Sequence, residues 1–320
     1  MLPGSPSARL FVILQHLLPQ HTVSRVVLVA TRVRWRPFKD LLISAFVRGF
    51  KPRMDDAVEP DPLRYASFNE FFIRTLRPGA RPQPQDPRII SSPVDGTISQ
   101  LGRIADGQIV QSQAIQTRTS PTLTSADQAS PAQAIHAKGR AYSLAALLAE
   151  AGLPGADPGW TSRFEGGAFA TLYLAPYNYH RIHMPRSGTL AQAWFVPGRL
   201  FSVNAVTAAA VDGLFARNER VLCAFESDSG PFAMALVGAL NVGSITTVWH
   251  GDVAPRRPRR PTVLTPSAAT PLALERGAEM GRFNMGSTVI LLFPPGRLAW
   301  LPELAPGTRI RVGQPLARLV

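Results

Sequence analysis

The chain has 320 residues, long enough to bury one large core or two modest ones. Thirty prolines and 25 glycines divide it into short elements and exclude a helical bundle, while a single cysteine, Cys223, excludes an internal disulfide and a cysteine-based metal site. Thirty-four basic residues against 21 acidic ones, a formal +13, point to an anionic partner.

In chain order, residues 7–50 read as two or three helices broken at Pro19 and Pro37. Leu10, Leu14, Leu17 and Leu18 recur at helical spacing, as do Val26, Val29 and Val33, then Leu42, Phe46 and Phe50. Nine of the first 53 residues are Lys or Arg, against one acid, Asp40. They alternate with apolar residues and form no nucleic-acid motif. Basic amphipathic helices of this kind lie in the plane of an anionic bilayer, or pack on their own protein. None holds the ~20 apolar residues of a membrane span. The opening MLPGSPSARL lacks the pattern of a signal peptide. The expectation is a peripheral protein on the cytoplasmic face of the cytoplasmic membrane.

A Pro/Asp-rich linker, 52–62, closes a first region, 1–62, and a β-rich domain, 63–320, follows. Ser67 to Glu70 forms a capping box for a helix carrying Phe71, Phe72 and Leu76. From Ile89 onward short apolar runs alternate with Gly, Pro and Asn turns, with one clear helix at Ser143–Ala151. Residues 113–133 read as a flexible insertion rich in Ser, Thr, Ala, Gln and Pro. The stretch with Arg256, Arg257, Arg259 and Arg260 reads as a solvated loop or a second contact with anionic lipid. The fold class expected is α+β, with amphipathic helices ahead of a strand-rich domain.

Three segments carry the chemistry. In GRFNMGSTVILLF, 281–293, Gly286 and Ser287 stand at the entrance of a buried strand, Val289–Phe293. A glycine there leaves the peptide carbonyl sterically open to the hydroxyl one residue on. In YHRIHMPRSGTL, 179–190, His180 and His183 stand three apart; that spacing also suits zinc, but no third ligand cluster accompanies it, and no metal is expected. In SSPVDGTISQLG, 91–102, Asp95 precedes Gly96 in a tight turn. Asp, His and Ser in three β-rich segments are the parts of a charge relay, in which a carboxylate orients the imidazole that takes the hydroxyl proton. Taken singly, each is also an ordinary turn or core residue.

With SFNEFFIRTLRPGARP (67–82), AKGRAYSLAALL (137–148), VPGRLFSVN (196–204), LFARNERV (214–221), LVGALNVGSI (236–245) and EMGRFNMGSTVILLF (279–293), these segments resemble the phosphatidylserine decarboxylase proenzymes of the bacterial, membrane-associated type. The resemblance runs in order from Ser67 to Val320. It departs at Met285, where the family has leucine, a volume-conserving exchange, and in the 113–133 insertion.

The resemblance implies a hybrid barrel- or sandwich-like catalytic domain and a covalent pyruvoyl group made from Ser287. His183, oriented by Asp95, would deprotonate Ser287, and the serine would attack the Gly286 carbonyl. Elimination and hydrolysis would leave a β chain, 1–286, paired with an α chain, 287–320. A further homo-oligomer is compatible with this. The pyruvoyl ketone would form a Schiff base with phosphatidylserine drawn from the anionic membrane and release phosphatidylethanolamine and CO2. His180 would contact substrate, donate a proton, or simply pack. The alternatives are a pyruvoyl decarboxylase of a free amino acid, a non-catalytic hybrid β-domain that binds a partner, and a serine hydrolase with an intact chain.

Overall fold

The apolar run entered at Ser287 becomes the middle of the largest sheet. The computed structural model describes residues 6–112, 140–240, 244–253, 260–266 and 271–320. Thr288–Phe293 is buried at every position and is hydrogen-bonded on both edges, to Phe232–Val237 and to Ala168–Tyr173. A strand flanked and covered in this way has no solvated face, so it reads as a continuous apolar run, not an alternating one. Burying each large side chain contributes roughly 1.5–3 kcal/mol.

The sheet continues outward on one side through Arg220–Glu226, Gly188–Val196 and Thr262–Val263, and on the other through Gly96–Arg103 and Arg309–Ile310, all antiparallel. Leu272–Leu274 also pairs with Gly188–Val196. Cys223 lies fully buried in this core. A second sheet orders Gly251–Asp252, Ile245–Thr247, Glu279–Phe283 and Arg181–His183. A third joins Ile89–Ser91, Pro315–Leu319 and Leu298–Trp300. Residues 284–287 are therefore the corner by which the chain leaves the second sheet for the first.

Three helices precede this body: α1, Pro6–Leu17; α2, Gln20–Thr31; and α3, Arg36–Phe50. The break at Pro19 lies where the sequence puts it. The second break falls earlier than Pro37, at residues 32–35, because Pro37 is tolerated in the first turn of α3, where its missing N–H has no intrahelical acceptor. The apolar faces of α1 and α2 point away from the protein. Val26 and Val29 are each 63% exposed and Leu17 76%, whereas Gln15, Gln20 and Ser24 are buried. Ser202 N–H donates to Gln15 Oε1 at 2.7 Å, Leu200 N–H to Gln20 Oε1 at 2.9 Å, and His21 Nε2 to the Gly198 carbonyl at 3.0 Å. The helices dock through these polar side chains together with Val12 and the buried Leu28.

Helix α4, Phe68–Phe72, starts at Ser67, whose hydroxyl accepts from Glu70 N–H. It is shorter than the sequence suggests: Leu76 lies beyond it, bridged to Ala57. Phe68, Phe71 and Phe72 pack with Ile43 of α3 in a cluster separate from the main core. The expected helix at Ser143–Ala151 is split into Leu144–Leu148 and a 3-10 turn, Glu150–Gly152, by Ala149 in the left-handed conformation. The 113–133 insertion and Arg256, Arg257 and Arg259 fall outside the described residues; Arg260 is exposed.

Candidate active site

The corner at 284–287 is held by its first residue. Asn284 is buried; its N–H donates to the Ser244 carbonyl, its amide nitrogen to Thr246 Oγ1 at 2.9 Å and to Ser244, and its amide oxygen accepts from Asn69 at 3.1 Å. Met285 packs against both apolar clusters and so joins the core to the aromatic patch under α3. The Ser287 carbonyl accepts from Leu174 N–H at 2.9 Å, which opens the central strand's ladder. With its carbonyl fixed, the serine has little freedom except at its side chain.

Gly286 lies between two walls. A Cβ there would stand 3.3 Å from the Leu174 carbonyl and 3.5 Å from His180 Nε2. His180 is wholly buried, its ring tilted on Phe72 at 4.2 Å. Its Nδ1 is 2.9 Å from the Asn178 carbonyl, which only accepts, so Nδ1 carries the hydrogen and Nε2 the lone pair. Neither that Nε2 nor Ser287 Oγ has a hydrogen-bond partner among the described residues, and both are buried. Burial pushes the His180 pKa down to about 3, assisted by the positive charge of Arg74 and opposed by the Asn178 bond. The imidazole is thereby held neutral beside Gly286, with the Nε2 lone pair free.

His183 is arranged differently. Its Nδ1 donates to the Gly277 carbonyl at 2.7 Å, and Nε2 accepts from the Tyr179 hydroxyl at 3.0 Å. Burial lowers its pKa, against the raising effect of the Gly277 bond. Asp95 sits in the turn ahead of Gly96–Arg103, beside His183 through the backbone: His183 N–H donates to the Pro93 carbonyl at 2.8 Å. Its carboxylate, however, is taken by Arg81, at 2.9 and 2.5 Å, and by Val312 N–H at 2.9 Å. Among the described residues no hydrogen bond joins Asp95 to His183. The connection runs through Arg81, which also binds Asp56 at 2.8 Å and whose guanidinium lies 6.0 Å from the Tyr179 ring centroid. The structure thus brings His180 against Gly286, the residue before Ser287, and gathers Asp95, Arg81, Tyr179 and His183 into a separate network.

Sequence reasoning passed over Arg81, Tyr179, Asn69 and Asn284. Arg81 and Asn69 lie in the quoted 67–82 segment, Tyr179 opens the histidine segment and Asn284 stands three residues before Ser287. Position marked them, but no pairing rule joins an arginine at 81 to an aspartate at 95. No cluster of three His, Cys, Asp or Glu side chains fit for a metal occurs among the described residues.

A family model described as phosphatidylserine decarboxylase matches residues 68–318, and a second, described as PSD, matches residues 10–51. The chain is 44% identical over 313 residues to a phosphatidylserine decarboxylase proenzyme of Pseudomonas putida, covering 97% of this chain and 98% of that one. It is 46% identical over 310 residues to the same-named protein of Bordetella avium, covering 97% and 94%. The corresponding Stutzerimonas stutzeri protein is 46% identical over 313 residues, again covering 97% and 94%.

Proposed function

The chain belongs to the phosphatidylserine decarboxylase family, and from that premise we propose that it is made as a proenzyme, cleaves itself between Gly286 and Ser287, and converts phosphatidylserine to phosphatidylethanolamine and CO2. The observation that carries this reading is a pair of buried, unpartnered atoms, Ser287 Oγ and His180 Nε2, flanking a peptide whose glycine leaves its carbonyl clear. An unsatisfied buried hydroxyl costs about 1–3 kcal/mol. Keeping a nucleophile unpaired at a peptide makes sense if its hydrogen bond is made during reaction.

In the proposed sequence Ser287 Oγ adds to the Gly286 carbonyl carbon as a histidine takes its proton. The C–N bond breaks, the proton passes to the freed amine of residue 287, and an ester links Gly286 to the serine oxygen. Loss of the Ser287 α-proton expels the Gly286 carboxylate, and hydrolysis of the remaining enamine releases ammonia. Residue 287 fits a planar pyruvoyl group at the new terminus: its oxygen has no hydrogen bond to lose, and the central strand anchors it through residues 288–293. Such a group supplies an electron sink for the charge left when CO2 departs.

His183 is proposed as the base of self-cleavage, with Asp95 acting on it through Arg81 and Tyr179. His180 is proposed to meet the substrate and return a proton to its α-carbon. The unpartnered Nε2 beside Gly286 favours a second reading, in which His180 is itself the base. Intact-mass measurement of the wild type and of Asp95→Asn, His180→Ala and His183→Ala decides. Wild type is expected as fragments 1–286 and 287–320, the second with a blocked N-terminus. Asp95→Asn and His183→Ala are expected to remain uncleaved, whereas His180→Ala cleaves but fails to decarboxylate. Arrest in His180→Ala with normal cleavage in His183→Ala moves the base to His180, and a fully active wild type of intact mass overturns the self-processing reading.

Peripheral attachment to an anionic bilayer is proposed through α1–α3. No described helix is long and apolar enough to cross a membrane. The outward apolar faces of α1 and α2 support insertion into an interface instead. The sequence-based division at residue 62 is proposed as functional only, since α3 shares the aromatic cluster of α4.

A further inference from the structure

Asp95, Arg81 and Tyr179 form part of the wall of a cleft of about 240 Å³, which holds six cations against two carboxylates. Its two most buried guanidiniums differ. Arg81 is clasped between Asp56 and Asp95. Arg74 is only 4% exposed, yet its Nε has no hydrogen-bond partner among the described residues and no carboxylate lies within ion-pair distance of it. Burial accordingly lowers its affinity for its proton, with Asp56 and Asp95 compensating only from a distance. A buried, unpaired cation is costly unless an anion arrives to meet it.

Position identifies that anion. Arg74 follows by two residues Phe72, whose ring lies tilted against His180, and its charge is felt at His180. Gly96 and Thr97 line the same cleft on a strand that pairs with Tyr173, and Tyr173 pairs with Thr288. Two strand spacings, about 10 Å, therefore separate the cleft wall from the central strand. Lys51, also in the wall, is the C-cap of α3. The cleft thus adjoins both the reacting residue and the proposed membrane-facing helices.

We propose that Arg74 receives the phosphodiester of the substrate headgroup in this cleft, turning the serine end toward residue 287. The inference rests on the decarboxylase reading above. The phosphodiester is preferred to the carboxylate on energetic grounds. A guanidinium gripping the carboxylate stabilises the very charge that must leave as CO2, and so opposes the reaction. The phosphodiester keeps its charge throughout, so its bidentate grip by Arg74 binds ground state and transition state alike. Uniform binding of that kind is read in KM and not in kcat.

The test compares wild type, Arg74→Lys and Arg74→Met as mature enzymes. Substrates are dioctanoyl phosphatidylserine and an O-acylserine, which has the same amine and carboxylate but no phosphate. Arg74→Met is expected to raise KM for the phospholipid about 10- to 100-fold with kcat within about threefold, the range of a charged hydrogen bond. Arg74→Lys is expected to fall between. O-acylserine turnover is expected to be unchanged in all three. Equal losses on both substrates, or a fall in kcat alone, overturn the proposal in favour of carboxylate binding or simple packing. Calorimetric titration of sn-glycerol 3-phosphate into the uncleaved Ser287→Ala chain, with and without Arg74→Met, gives an activity-independent reading. Binding abolished by Arg74→Met supports the site, and no binding to the chain with Arg74 intact overturns it even if the variants fail to mature. A wild type that binds sn-glycerol 3-phosphate but decarboxylates no phosphatidylserine refutes the decarboxylase reading and leaves the anion site standing.

Discussion

At the scale of single residues, burial favours the uncharged form of both imidazoles of the candidate site. The His180 pKa is pushed from 6.5 to about 3, so between those values the unfolded chain binds a proton that the native chain does not. Stability is then complete above pH 6.5 and falls as pH drops below it, by up to about 1.4 kcal/mol per pH unit for this one group. His183, lowered by burial as well, adds to the slope. Denaturant unfolding of the uncleaved Ser287→Ala chain from pH 7 to pH 5 is expected to show this loss, and His180→Phe, which keeps a ring against Phe72, to make it shallower. Equal slopes with and without His180 refute the assignment. With His180 as the base, self-cleavage is expected to hold its rate across the same interval, where an ordinary histidine loses most of its basic form. None of this was visible in the sequence. His180, His183, Asp95 and Ser287 stand out there by type and spacing, but which histidine touches Gly286 depends on how the Arg181–His183 strand pairs with Glu279–Phe283.

At the scale of elements, legibility followed hydrophobic pattern. The buried strand behind Ser287 and the serine cap at Ser67 were plain, because an unbroken apolar run and a serine cap have few other uses, although the Glu70 carboxylate pairs with Arg34. The orientation of α1 and α2 was not, since an apolar stripe indicates a buried face without saying what buries it. Gln15 and Gln20, docked on the 200–202 backbone, settle which side meets the protein. Helix α3 is a different case. Ile43 is wholly buried on Phe68, Phe71 and Phe72, and Phe72 backs His180. Part of residues 1–50 therefore supports the candidate site as well as the proposed membrane contact. Removing residues 1–34 is expected to weaken flotation with anionic vesicles while self-cleavage continues. Removing residues 1–50 is expected to impair both, because losing one large apolar side chain from such a cluster already costs about 2–5 kcal/mol. Binding by the full chain should decline with salt without disappearing, as screening reaches the arginines and not the inserted apolar faces. Equal flotation by the full chain and the 1–34 deletion refutes a membrane role for α1 and α2.

At the scale of the whole molecule, the strand-rich α+β character followed from proline and glycine spacing, whereas the sheet order did not, because pairing partners such as Ile89 and Arg318 lie more than two hundred residues apart. That order gives residues 287–320 an unusual share of the architecture. They supply the central strand of the large sheet, its edge at Arg309–Ile310, and two strands of the sheet completed by Ile89–Ser91. The proposed opening of the peptide at 286–287 would therefore sever the chain without loosening the body. The fragments are expected to melt in one transition, and isotope-labelled 287–320 fragment not to enter unlabelled enzyme over days in native buffer; appearance of hybrid pairs within hours refutes this. Maturation then behaves like a ratchet. Each molecule keeps for life the small fragment it was translated with, and two defective copies, one broken at Ser287 and one elsewhere, cannot rescue each other by trading parts.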